Sequence, residues 1–109
     1  MSHYPLFADL RDRPVLLVGA GKVAERKAES LLSAGARVRV VAETLNPQFQ
    51  QWAAEGKIVW LGGLFEEAML DEVYFVIAAT DDDVFNHRVF EAAERRAKLC
   101  NTVDTADLC

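Results

Sequence analysis

The sequence predicts a doubly wound α/β domain, and three observations carry that expectation. Short apolar runs recur along the chain, each followed by a stretch with helical spacing. Gly, Asn or Pro stands at the boundaries, where helices start and stop. The first run is continuous rather than alternating, as a strand buried on both faces requires. Strands that alternate with helices imply right-handed parallel crossovers and helices on both sides of one sheet.

The first strand is expected at residues 15–18, a run of Val and Leu. Residues 22–34 then read as a helix, with Ala24, Ala28, Leu31 and Leu32 on one stripe and Gly35 as its stop. The second strand falls at 38–41. Asn46 caps a second helix and Pro47 suits its first turn. Phe49, Trp52 and Ala53 form its apolar face, and Gly56 closes it. A third strand at 58–61 leads through Gly62-Gly63 to a short, weakly patterned helix around 66–70. Residues 73–79 make the fourth and most apolar strand. A long helix over 83–97 turns Phe85, Val89, Ala92 and Ala93 inward, and a fifth strand follows at 99–103.

The 109 residues amount to one domain, expected to span 1–109, and at 51% apolar they can build a core. The formal charge of −5 argues against nucleic acid, which calls for a basic face, and against an anionic membrane surface. No stretch approaches the roughly 20 apolar residues of a membrane-spanning helix. Residues 1–14 lack the apolar run of a signal peptide, so a soluble cytoplasmic chain is expected. Cys100 and Cys109 do not form a CxxC pair, and His3 and His87 lack metal-finger spacing. Cys100 reads as a small buried thiol. No metal ligands are assigned.

Directly after the first strand stands Gly19-Ala20-Gly21-Lys22-Val23-Ala24. This is the G-x-G-x-x-G/A fingerprint of a Rossmann dinucleotide-binding domain, between the strand and helix that it requires. Gly19 permits the tight turn, Gly21 lets a pyrophosphate approach the backbone, and Ala24 allows close helix–sheet packing. The N–H groups of Gly21, Lys22 and Val23 have no partner within the helix and offer a phosphate site. The acid that binds ribose is expected at Ala42, at the end of the second strand, with Glu43 one residue later. Glu43 could turn back to the 2′-hydroxyl, the backbone of Glu43 and Thr44 could line the adenosine pocket, or Glu43 could simply be solvated. No Arg follows the strand to receive a 2′-phosphate, so the cofactor is expected to be NAD.

The other carboxyl ends read Thr80-Asp81-Asp82-Asp83 and Asp104. Ala78-Ala79-Thr80 is small enough for a nicotinamide ribose to lie against it, with Asp81 beside it. Asp83 is the expected cap of the long helix. Asp104 follows an apolar strand directly, so it is either a proton acceptor on the crevice floor or a solvated loop acid. His87 reads as a surface residue.

The chain resembles the N-terminal domain of siroheme synthase, the precorrin-2 dehydrogenase and sirohydrochlorin ferrochelatase family. Pro5-Leu6-Phe7, the run from Gly19 to Ala28, Leu31-Leu32 with Gly35-Ala36, Ala78 to Asp83 with Asn86, and Cys100-Asn101-Thr102-Val103-Asp104 carry the likeness. The resemblance implies NAD-dependent oxidation of precorrin-2 to sirohydrochlorin. It implies that Asp104 serves dehydrogenation and the insertion of ferrous iron. It also implies a longer enzyme that dimerises, followed in fused forms by a methyltransferase domain, so the 109 residues read as a truncated piece that catalyses poorly alone. Lys22, Arg26 or Lys27, or the region beyond, would meet the substrate's carboxylates. A rival is a nucleotide-sensing Rossmann domain of a potassium transport system, which would bind NAD or ATP without chemistry. Against it stand Ala24 at the third small position, the displaced acid, the Arg26-Lys27 pair and the Pro5-Leu6-Phe7 opening.

Overall fold

The apolar run after Arg13 becomes the central strand β1, Pro14–Val18, because its side chains feed two cores in alternation. The computed structural model describes residues 10–102. Helix α1 (Lys22–Ser33), strand β2 (Arg37–Val41), helix α2 (Pro47–Ala54) and strand β3 (Ile58–Trp60) follow β1. A short 3₁₀ helix, Glu67–Glu72, leads to β4 (Phe75–Ala78), α3 (Asp83–Arg95) and β5 (Leu99–Thr102).

All strands are parallel, in the order β3-β2-β1-β4-β5. From β1 the chain winds first toward β3 and then returns to build β4 and β5 on the other side. That reversal puts a crevice at the carboxyl ends of β1 and β4, the usual ligand position in open α/β sheets. The register aligns the edge: Val18 pairs with Val41 on one side and Ala78 on the other.

Val15, Leu17, Val38, Val40 and Ile77 pack beneath Ala24, Ala28 and Leu31 of α1 and Phe49 of α2. On the opposite face Leu16, Val18, Val41, Val76 and Ala78 meet Leu70 and the α3 residues Val89, Ala92 and Ala93. Cys100 is half-buried against this second cluster, as a small apolar residue would be. His87 is exposed and lies 3.4 Å from Glu91, one turn along α3.

The structure moves several boundaries. Helix α1 ends at Ser33, where Ala36 N–H bonds Leu31 C=O (3.0 Å) and Gly35 N–H bonds Leu32 C=O (3.0 Å). This Schellman closure needs the left-handed φ of 83° that Gly35 supplies. Strand β4 begins at Phe75 rather than 73, because Val73 still closes the 3₁₀ helix. Helix α3 stops at Arg95, and Ala97 turns the chain at φ 57°.

Strand β3 is buried only in part. Ile58 is buried, but Val59 is 55% exposed. The connection from β3 to β4 is a 3₁₀ helix too short to cover this edge. Arg95 and Arg96 hold that helix against the end of α3, both bonding Glu67, with Arg96 also on Asp71.

Candidate functional site

The turn from β1 into α1 is shaped by steric contact with the neighbouring strand. Gly19 has φ 120°, and a Cβ on it would stand 2.6 Å from the carbonyl oxygen of Ala79. Only glycine lets the turns after β1 and β4 touch in this way. Gly19 N–H bonds Val41 C=O at 2.8 Å, which ties the same turn to β2.

Gly21 is the N-cap of α1 and offers no side chain to cap it. The first backbone bond into the helix runs from Glu25 N–H to Gly21 C=O at 2.9 Å. Among the described residues, the N–H groups of Gly21, Lys22, Val23 and Ala24 have no acceptor. A Cβ on Gly21 would meet no protein atom within 4 Å, so the space over these donors is open. Four unpaired donors at the positive end of a helix, beneath open space, fit the pyrophosphate of a dinucleotide. Ala24 is fully buried where α1 packs on the sheet, as its place in the fingerprint requires.

The adenosine side is framed by a link between α1 and α2. Asn46 accepts from Phe49 N–H at 2.9 Å, as expected of a cap, and donates to Glu25 Oε1 at 3.0 Å. Glu25 thereby fixes the segment that carries Glu43 and Thr44, both exposed. Ala42 packs on the first core instead of facing a ligand. Among the described residues Glu43 has no ion pair or side-chain hydrogen bond. Its backbone lies against Gly63, where a Cβ would come within 3.0 Å of Glu43 Cα.

On the other side of Gly19, Thr80 is locked by Asn86. Thr80 N–H and hydroxyl both donate to Asn86 Oδ1, at 3.1 and 2.6 Å, and Asn86 Nδ2 donates to Thr80 C=O at 2.9 Å. Asp81 is exposed at the rim. The α3 cap is Asp82 rather than Asp83: its carboxylate accepts from Phe85 N–H at 3.1 Å, and Asp83 is already helical. Among the described residues no group of three or more His, Cys, Asp or Glu could hold a metal ion. The crevice rim is partly apolar, with Val23 45% and Val84 66% exposed at the first turns of α1 and α3.

Gly19, Gly21, Lys22, Val23, Ala24, Glu43, Thr44, Thr80 and Asp81 thus fall along one sheet edge. Asp104, like Pro5-Leu6-Phe7, lies outside the described residues. Lys22 and Arg26 are exposed on α1, and neither forms an ion pair among the described residues. The sequence placed Asn86 and Glu25 among the residues of the family likeness but assigned neither a role at the site. The signal for Asn86 was its helical spacing with Val89 and Ala93, three and seven residues on. A groove of about 760 Å³ also runs along β2 and β3 beside Arg37, Lys57, Val59 and Met69. Its lining runs from Gly56 and Lys57 before β3 to Leu61 after it and includes no residue of the glycine turn.

The sequence matches, over residues 6–109, the family described as "Putative NAD(P)-binding". It is 50% identical over 109 residues to siroheme synthase 1 of Serratia proteamaculans (strain 568), covering 100% of this chain and 23% of that relative. It is 56% identical over 104 residues to the siroheme synthase of Salmonella schwarzengrund (strain CVM19633), covering 95% of this chain and 23% of the relative. The chain therefore spans about a quarter of these curated relatives. Among solved structures it resembles SirC, a precorrin-2 dehydrogenase, with a TM-score of 0.77 and 28% identity over 98% of this chain and 51% of that one. A D-lactate dehydrogenase with NAD+ from Lactobacillus jensenii shares the fold alone, with a TM-score of 0.53 and 14% identity over 94% of this chain and 42% of that one.

Proposed function

Because this chain belongs to the NAD(P)-binding family, in the group represented by the N-terminal domain of siroheme synthase, we propose that it is the NAD-binding domain, spanning 1–109, of a longer enzyme that oxidises precorrin-2 to sirohydrochlorin. The observation that carries the reading is the uncapped start of α1 under Gly21, with the Gly19–Ala79 contact beside it. The siroheme synthase relatives and the likeness to a precorrin-2 dehydrogenase favour this reading over a transport-system sensor.

In this reading Gly21, Lys22 and Val23 hold the pyrophosphate through their N–H groups, and Gly19 and Ala24 keep the turn and helix in place. Glu43 and Thr44 border the adenosine ribose. A carboxylate there disfavours the extra phosphate of NADP, and no Arg follows the end of β2 in the sequence to receive one. Thr80 and Asp81 border the nicotinamide ribose. When bound, NAD would supply the hydride acceptor for the reduced tetrapyrrole. Asp104 takes up the accompanying proton, so the substrate loses two electrons and two hydrogens in all. The same carboxylate serves ferrous iron insertion, in which the metal ion replaces two N–H protons of the macrocycle and those protons leave to Asp104 and solvent.

The rest of the enzyme forms a homodimer and completes the cleft, since hydride transfer needs a site that excludes water. It also supplies basic groups for the substrate's carboxylates alongside Lys22, Arg26 or Lys27. No described helix is long and apolar enough to cross a membrane, and we place the enzyme in the cytoplasm.

Calorimetric titration of the chain with NAD and NADP tests the cofactor. NAD is expected to bind at least about tenfold more tightly; equal affinity, or a preference for NADP, would sink the assignment at Glu43. Asp104→Asn in the full-length enzyme is expected to abolish precorrin-2 oxidation while NAD still binds. An active variant would remove Asp104 from the chemistry.

A further inference from the structure

Asn86 is 2% exposed and is the buried polar side chain among the described residues. A buried amide is costly unless its polar atoms are paired, and Asn86 pairs its own with Thr80. Its Oδ1 accepts from the Thr80 N–H (3.1 Å) and hydroxyl (2.6 Å), while its Nδ2 donates to the Thr80 carbonyl (2.9 Å). The Thr80 hydroxyl in turn accepts from Asp82 N–H at 3.2 Å. Its single proton goes to the short contact with Asn86, ahead of the 3.2 Å alternative at Asp82 C=O. Thr80 therefore has no donor left for the crevice. It contributes its shape, and any hydrogen bond it forms there must be as an acceptor.

That shape matters because of what it faces. The Ala79 carbonyl packs so closely on Gly19 that a Cβ would meet it at 2.6 Å. Movement of the Ala79–Thr80 turn toward α1 is blocked by the Gly19 backbone, and movement away is resisted by Asn86. We propose that Asn86 is a positioning residue that sets the width of the crevice between the turns after β1 and β4, and so selects for the nicotinamide half of the cofactor. The inference rests on the NAD-binding reading above. It assigns the adenine half no dependence on Asn86, because that half lies toward β2, where Glu25 and Asn46 form a separate frame.

The test compares NAD with ADP, which carries the adenosine and pyrophosphate without the nicotinamide ribose. Asn86→Ala is expected to weaken NAD binding about tenfold and leave ADP binding within about twofold. Thr80→Val, which keeps the side chain's size but removes the hydroxyl, should shift NAD affinity the same way by a smaller factor. It carries the test if Asn86→Ala does not fold. Thr80→Ser retains all three inward bonds and should lose less NAD affinity than Thr80→Val; a loss as large as that of Thr80→Val would overturn the role given to those bonds. A general loss of structure would weaken both ligands alike, and that outcome overturns the inference, as does unchanged NAD binding. A parent chain that binds ADP but gains nothing from the nicotinamide half also overturns it. A parent chain that binds neither ligand sinks the cofactor reading itself, and this inference with it.

Discussion

Two helices start side by side at the crevice, and they treat their exposed backbone donors in opposite ways. Helix α3 begins under Asp82, whose carboxylate accepts from Phe85 N–H. Helix α1 begins under Gly21 with no side-chain cap and open space above it. Away from the crevice turn, α2 follows the α3 pattern, with Asn46 bonding Phe49 N–H. A side-chain cap stabilises a helix by about 1 kcal/mol, so its absence at α1 leaves stability unclaimed. The difference teaches where a ligand belongs: the helix end left without an internal acceptor is the one whose donors can serve a phosphate.

The sharpest way to break that comparison is Gly21→Asp. The backbone there, at φ −99°, suits any residue, and a Cβ meets nothing. The new carboxylate would cap α1 as Asp82 caps α3, and would put a negative charge where the pyrophosphate should lie. NAD affinity is expected to fall by at least about 100-fold, while urea denaturation should show stability unchanged or raised by roughly a few tenths of a kcal/mol. Binding that survives would show that the open helix end holds no phosphate.

Gly19→Ala acts through the fold instead. The methyl group would collide with the Ala79 carbonyl, at a backbone conformation that disfavours any side chain. A loss of about 2–4 kcal/mol is expected by denaturation, with NAD binding reduced only because the two turns part. The pair of variants separates the glycine that shapes the turn from the glycine that clears space for a ligand.

Much of this contrast was legible in the residues. The continuous Val and Leu run at 15–18 reads as a two-faced strand, and Asn46-Pro47 as the start of a helix. What stayed hidden depended on distances between segments. Three adjacent aspartates compete for one cap, and Asp82 takes it because α3 starts at Asp83. Asn86 looks like a surface residue as long as only apolar positions are counted, although it shares a face with Val89 and Ala93. Glu25 and Asn46 stand 21 residues apart, and only the folded loop brings them together. The apolar character of Val59 could not reveal that the crossover beyond it is a 3₁₀ helix too short to cover it. Asp104 lies outside the described residues, so its place rests on sequence.

Asp82→Ala sharpens the comparison from the other side. It removes the α3 cap and should cost about 1 kcal/mol, measured by urea denaturation. NAD affinity should stay near the parent value, because Thr80 remains locked by Asn86 rather than by the Asp82 carboxylate. A loss of binding larger than the loss of stability would make the α3 cap part of the cofactor site.

The smallest effect is expected at the far end of α3, where the helix has no ligand to serve. Hydrogen bonds from Arg95, and then from Arg96, outweigh partial burial and hold the Glu67 carboxyl below its ordinary value. The folded chain therefore binds that proton less tightly than the unfolded chain does. The stability this contributes is complete above the ordinary carboxylate pKa and is lost as the pH falls through the depressed folded value. Exposure and salt screen the pairs, so the contribution is small even at neutral pH. Glu67→Gln should be slightly less stable than the parent at pH 7, and the gap should close on acidification and narrow in high salt. NAD affinity should not change. A gap that persists at low pH would mean that Glu67 works through packing of the 3₁₀ helix, and that its charge pairs with Arg95 and Arg96 add nothing.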